Sequence, residues 1–331
     1  MNYGQFLKYK FREFVPEKTW DLLAKTQAKR RERQFSETIR IINETPPRHF
    51  IIRRRPPGAG LFSNVNHVLQ GVIRSKDLNL IPVVDMENYW TWYNRNYFLC
   101  KTDNSWGYFF RPVTSNFENK IEIGDSYILS SGDRLLHNHW LSDQGLRFML
   151  DRKKISYLKK LVEEHVSLNE YVTKVLDKCK QEIAWDPENT LTIFYRGTEY
   201  TERKPPRHAR QPSKDEILAK LNESEIDSNT RLFLATEDSD LRDVITSKYG
   251  KKRVYPEFKK SDTFEEILIE EIPNFRSSDL EMNRTYGYLI QTYLSAESAE
   301  IIASIANGSA YSFILNGNKY RKSYVFDLGT Y

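Results

Sequence analysis

The chain has 331 residues, of which 39% are hydrophobic and 29% charged, and its 50 basic and 45 acidic residues give a formal charge of +5. That length is more than one core usually holds, so two domains are expected. The small positive balance argues against a polynucleotide partner, no apolar run approaches the roughly 18–20 residues that cross a bilayer, and Cys100 and Cys179 provide neither a disulfide framework nor a metal spacing.

The opening MNYGQFLKYKFREF lacks the apolar core of a signal peptide, so the expected location is the cytoplasm. Residues 16–45 have helical spacing, with Trp20, Leu22, Leu23, Phe35, Ile39 and Ile42 on one side, and Pro46 and Pro47 end the run. The basic cluster Lys29 to Arg33 is read as a solvated face of that helix. Next, His49 to Arg53 predict a strand, Gly58 and Gly60 a turn, and Asn64 to Ile73 a helix. This succession brings backbone N–H groups and a helix N-terminus to a phosphate or sugar, or else is only a tight connection. Leu80 to Val84 predict a second strand ending at Asp85 and Glu87, which completes a βαβ unit. Residues 88–110 are dense in aromatic rings. Most of these are expected to fill an irregular insertion, while the cluster as a whole could wall an acceptor sugar. Tyr127 to Leu129 suggest a strand. His137 and His139 lack a third ligand at zinc spacing, and Ile155 to Ile183 predict one long amphipathic helix linking two halves.

The second half starts at LTIFYRGTEY, a buried strand whose carboxyl end presents Arg196 to a glycine turn. Open α/β sheets bind ligands at such ends. A guanidinium there suits a diphosphate, or alternatively pairs with an acidic neighbour. The basic segment YTERKPPRHARQPS is expected to be a mobile loop, and Asp215 to Leu221 a helix. Arg231 to Ala235 predict a strand leading to Thr236, Glu237 and Asp238, followed by a helix over Leu241 to Tyr249 and a strand over Lys252 to Tyr255. Last come a helix from Tyr286 to Leu294, a strand from Glu300 to Ser304, and Asn307, Gly308 and Ser309 opening a helix over Ala310 to Leu315. That helix start could be an anion site or an ordinary cap.

Four stretches in this order, GAGLFSNVNHVLQG, IFYRGTEY, FLATEDSDL and YLIQTYLSAESAEIIASIANGSAYSFIL, resemble the fucosyltransferase superfamily. This superfamily includes nodulation, core α-1,6 and protein O-fucosyltransferases. The resemblance covers about residues 48–86 and 189–316. It implies a GT-B α/β fold: an N-terminal helical extension (1–47), an acceptor-side Rossmann-like domain (48–150), a linking helix (151–187) and a nucleotide-sugar domain (188–331) around a cleft. It implies an inverting transfer of fucose from GDP-fucose to a glycan hydroxyl without a metal, and a setting in bacterial surface polysaccharide synthesis with peripheral association at the inner membrane. Arg196 matches the diphosphate-binding arginine, and Ser309 with the Gly308 and Ala310 amides matches the holder of the distal phosphate. Thr236 and Asp238 match a Thr-Asp turn, and Gly60 and Asn64 the early loop. Asp85, Glu87 and Glu199 are the candidate bases.

Two positions depart from the family: Phe194 stands where a histidine is usual, and Gln291 where an acid helps to read guanine. A neutral amide both accepts and donates, so the alternatives are a different nucleotide sugar or a non-catalytic carbohydrate-binding protein.

Overall fold

The computed structural model describes residues 47–54, 59–114, 127–130, 140–143, 145–197, 199–224, 226–257 and 262–331. The helix expected over 16–45, together with Gly58 and His137 to His139, lies outside these residues. β1 (His49–Ile52) is buried at every position. α1 (Leu61–Asp77), β2 (Ile81–Val84) and β3 (Tyr127–Leu129) follow, and both later strands run parallel to β1 in the order β2-β1-β3. α2 (Arg152–His165) and α3 (Glu170–Glu182) lead to the second sheet.

That sheet is built from β4 (Thr190–Tyr195), α4 (Glu199–Arg203), α5 (Lys214–Glu223), β5 (Arg231–Thr236), α6 (Ser239–Tyr249), α7 (Asp262–Glu271), α8 (Leu280–Glu297), β6 (Glu300–Ser304), α9 (Asn307–Asn316) and β7 (Lys322–Phe326). Its order is β5-β4-β6-β7 and every pairing is parallel. Parallel strands are covered on both faces, which explains why all six residues of β4 are buried instead of alternating. In each sheet the strand that comes first in the chain sits inside, with later strands added on either side. The carboxyl ends of β1 and β4 are therefore the places where connections diverge and a crevice opens.

α1 lies between the two sheets, so 13 of its 17 residues are buried. Gly71 lets it rest on β1, because an added Cβ would lie 2.5 Å from Ile52 Cγ1. On its other side the Phe62 ring meets Tyr311 at 4.9 Å and Tyr288 at 5.1 Å, and Asn66 Nδ2 donates to Asn307 Oδ1 at 2.9 Å. One apolar core consequently runs from β1 and α1 through α2 and α3 to α8, β6 and α9. This is the anticipated architecture of two parallel α/β halves facing a common groove.

Several local expectations need correcting. The helix expected over Ile155 to Ile183 is two helices. Between them the chain pairs with the aromatic segment: Leu168 bridges Phe110, Arg111 N donates to Ser167 O at 2.9 Å, and the Asn169 side chain caps α3 by accepting from Val172 N at 2.8 Å. Over Lys252 to Tyr255 there is only a single bridge, Val254 to Leu232. The basic segment after Glu199 begins as α4 and is then tied to the chain end by a bridge between Ala209 and Thr330 and a 3.0 Å bond from Tyr331 N to His208 O. The aromatic insertion divides: Trp106, Tyr108, Phe109 and Phe110 are core, whereas Trp90, Trp92 and Phe98 are exposed.

Candidate functional site

A groove of about 340 Å³ separates the two halves. The first half contributes Ala59 to Ser63 at the start of α1, and Tyr93. The second contributes Phe194 to Gly197, Tyr200, His208, Ala235 to Glu237, and Asn307 at the start of α9. One face of α8 forms the remaining wall, through Glu281, Arg284, Thr285, Tyr288 and Gln291, the spacing of a single helical stripe. A second cavity of about 310 Å³ follows the edge strand β2; Trp106 and Phe110 of the aromatic segment line it, but none of the predicted nucleotide-sugar or catalytic residues do.

Arg196 stands at the carboxyl end of β4, and its backbone N–H donates to Ser304 Oγ at 3.1 Å, joining the ends of β4 and β6. Its guanidinium lies over the Tyr200 ring, 4.4 Å from the centroid. That charge is felt around the groove. Burial, and then Arg196, hold the His208 imidazole below its ordinary pKa, so the ring is neutral at pH 7. Burial pushes the Tyr288 hydroxyl up, and Arg196 draws it part of the way back. Above Tyr288 lies Gly308. An added Cβ there would sit 2.2 Å from Tyr288 Oη and 2.9 Å from Phe194 Cζ, so only glycine lets the α9 N-terminus come this close.

The helix caps differ in a way that points to the groove. α2, α3, α5, α6 and α8 each begin with a side chain that accepts from the first turn: Asp151, Asn169, Ser213, Asp238 and Asp279. α1 and α9 begin at Gly60 and Ala306, with no side-chain cap and no acidic residue in the first turn. Their first amides carry the positive end of the helix dipole, the Leu61 amide facing the Tyr93 hydroxyl and the Gly308 amide the Tyr288 hydroxyl. Gly60 and Asn307 place both of these helix ends in the groove with Arg196. Two uncapped N-termini and one guanidinium around a cleft form a receptor for an anion bearing more than one charge.

Of the predicted site residues, Gly60, Phe194, Arg196, Thr236 and Gln291 come together here. Gly308, Ser309 and Ala310 lie one layer behind, each buried. The Ser309 hydroxyl is engaged inside its own turn, 2.6 Å from Ser304 O, 3.0 Å from Ala306 O and accepting from Ala306 N at 2.9 Å. Asn64 is 3% exposed and lies under the groove rather than on its surface. Asp238 caps α6 through Leu241 N at 2.9 Å and pairs with Lys214 at 3.1 Å, so Glu237 is the acid of that turn that faces the groove. Asp85 is not among the lining residues. Its oxygens accept from the Glu87 and Asn88 amides and from Asn88 Nδ2, which closes a turn. Glu199 opens α4. Sequence reading named Glu237 and Asn307 only as turn and helix-start residues and Tyr93 only within the aromatic cluster, and gave Tyr200, Glu281, Arg284 and Tyr288 no role. The stripe on α8 had a signal in its spacing; the others are brought together only by tertiary folding.

Among the described residues no group of three or more His, Cys, Asp or Glu is placed to hold a metal ion, and no helix is long and apolar enough to cross a membrane.

No protein-family model matches the chain, and no curated protein matches its sequence. Solved structures do match. They include NodZ α-1,6-fucosyltransferase soaked with GDP-fucose, at 14% identity and TM-score 0.48 over 82% of this chain and 93% of that one. An Arabidopsis thaliana FUT1 variant in complex with GDP matches at 10% identity and TM-score 0.48, over 88% of this chain and 74% of that one. Apo POFUT1 matches at 12% identity and TM-score 0.45, over 86% of this chain and 100% of that one. These are GT-B fucosyltransferases, the family that the sequence resembles. The chemistry of the groove has to be read from its own residues.

Proposed function

We propose that this chain is an inverting glycosyltransferase that moves a sugar, fucose from GDP-fucose in the first instance, onto a glycan hydroxyl. The observation that carries this reading is the meeting of Arg196 with the two uncapped helix N-termini in one groove. These groups would neutralise the diphosphate as it departs, and donors aimed at charge that grows during bond breaking lower the barrier most. The Thr236–Glu237 turn and Gln291, at the far end of the α8 stripe from Glu281, would hold the nucleoside. Gly308 sets how near α9 comes, and the Ser309 hydroxyl keeps that turn in shape. The resemblance and the +5 charge together favour work at the inner face of a bacterial membrane on surface polysaccharide.

The first test is thermal unfolding with GDP, UDP and CMP. A ligand at a hundred times its Kd adds about 2.7 kcal/mol, and GDP is expected to give the largest shift. A larger shift with UDP or CMP supports the second reading, a donor with another base, which the neutral Gln291 and buried Phe194 at the groove permit. Arg196→Ala is expected to retain the fold and lose transfer by about 10²–10³-fold or more. Transfer at the wild-type rate in that variant overturns the assignment, and the absence of any nucleotide shift favours a binding protein.

A further inference from the structure

We infer that Glu281 is the general base that takes the proton from the attacking hydroxyl. This rests on the sugar-transfer reading above. Only two described carboxylates line the groove, Glu237 and Glu281. Glu237 lies at the carboxyl end of β5, where its charge and that of Arg196 both act on Tyr288, which is the side of the departing diphosphate. Glu281 lies two helical turns away from Tyr288 along α8, about 10 Å at 1.5 Å per residue. Inversion requires attack from the face opposite the leaving group, so the carboxylate at the far end of the wall has the suitable position.

Its surroundings hold it there. Arg95 reaches across from the aromatic segment to place Nη2 3.3 Å from Glu281 Oε2, and is itself fixed by Asp279 Oδ2 at 2.5 Å from Nε and by Trp92 O at 3.0 Å from Nη1. The Tyr93 hydroxyl shares this end of the groove: burial raises its pKa, the Leu61 amide and Thr285 hydroxyl bond to it, and the Glu281 charge raises it further. Glu281 remains 44% exposed at its side chain, open to an incoming acceptor. Burial raises its own pKa, Arg95 opposes that and Asp279 adds to it, so the carboxylate is more basic than usual.

In the step, the acceptor oxygen bonds to the anomeric carbon as its proton passes to Glu281. The bond from that carbon to the β-phosphate oxygen breaks, and its electron pair leaves with GDP beside Arg196. Water serves as the simplest acceptor.

The experiment measures release of fucose from GDP-fucose by the full chain, with and without sodium azide, in wild type and Glu281→Ala. Azide attacks carbon without losing a proton and so needs no base. The variant is expected to keep its thermal midpoint and GDP affinity, to lose hydrolysis about 10²-fold or more, and to recover turnover in azide with fucosyl azide as product. In wild type and Glu281→Gln, hydrolysis against pH should differ by loss of the acid limb, the charged neighbours Arg95, Asp279 and Arg284 being the same in both. Wild-type hydrolysis in Glu281→Ala overturns the inference and leaves the transferase reading intact. Loss without azide recovery also overturns it, by assigning Glu281 a structural part. A wild-type chain that neither binds GDP nor releases fucose removes both.

Discussion

Gly308→Ala tests whether the closeness of α9 to the groove is what makes the diphosphate end. The new methyl would lie 2.2 Å from Tyr288 Oη, 2.6 Å from its Cζ and 2.9 Å from Phe194 Cζ, where ordinary carbon contacts are about 3.5–4.0 Å. The overlap exceeds an ångström, and Tyr288 has little room to yield: its ring packs edge-on against Phe62 at 5.1 Å and lies 6.4 Å from Phe194. Either the first turn of α9 withdraws or the tyrosine is forced into the groove. Overpacking of this kind costs about 1–3 kcal/mol, and either movement separates the α9 amides from Arg196. Loss of even one charge-assisted contact, worth about 1.5–3 kcal/mol, weakens GDP binding by roughly tenfold or more. Thermal unfolding and calorimetric titration with GDP measure the two effects separately. The double variant with Tyr288→Phe, which removes the closest atom, should regain part of the stability. A Gly308→Ala protein with wild-type midpoint and wild-type GDP affinity would refute the reasoning.

Ser309→Ala should act on stability first: it removes a buried hydroxyl that accepts from Ala306 N and bonds the Ser304 and Ala306 carbonyls, a cost of about 1–3 kcal/mol. It should lower the unfolding midpoint while GDP affinity falls less than in Arg196→Ala; an unchanged midpoint with abolished binding would instead make the hydroxyl a direct ligand. Asp279 offers a pH test. Burial raises its pKa, but bonds from Arg95, Tyr97 and the Met282 amide outweigh this and hold it below the ordinary value. A carboxyl depressed in the folded state adds stability above its unfolded pKa, near 3.9, and loses it as pH falls through the folded pKa. Asp279→Asn keeps an α8 cap but loses the charge. It should therefore be less stable by about 1 kcal/mol at pH 7, given the partial exposure of the pair, with the gap to wild type closing in acid. A gap that does not shrink at all as the pH is lowered in urea titrations would show that the pairing contributes nothing.

β4 and β6 were legible because parallel strands buried on both faces read as unbroken apolar runs, and they fell where LTIFY and EIIAS placed them; β7, with its first three residues exposed, has no such run and was missed. Arg196 was legible for the same reason, lying just past such a run, and Gly60 as the glycine turn ahead of a helix. Asp238 and Ser309 were not, because Asp and Ser suit a helix start and a ligand equally well, and the choice depends on which atoms face the groove. The break between α2 and α3 carries no glycine or proline; its cause is the bridge from Leu168 to Phe110, 58 residues away in sequence. Glu281 and Tyr288 depended on recognising which stripe of α8 remained uncovered once Phe62 and Tyr311 had packed.

The seam formed by Phe62, Tyr311 and the paired amides of Asn66 and Asn307 lies beside the groove itself. Prising the two lobes apart like a clamshell would tear hydrocarbon contacts that belong to both. Cargo must therefore enter and leave along the open rim of the groove, where Arg284 stands. Melting should follow suit, as one sharp transition in place of two.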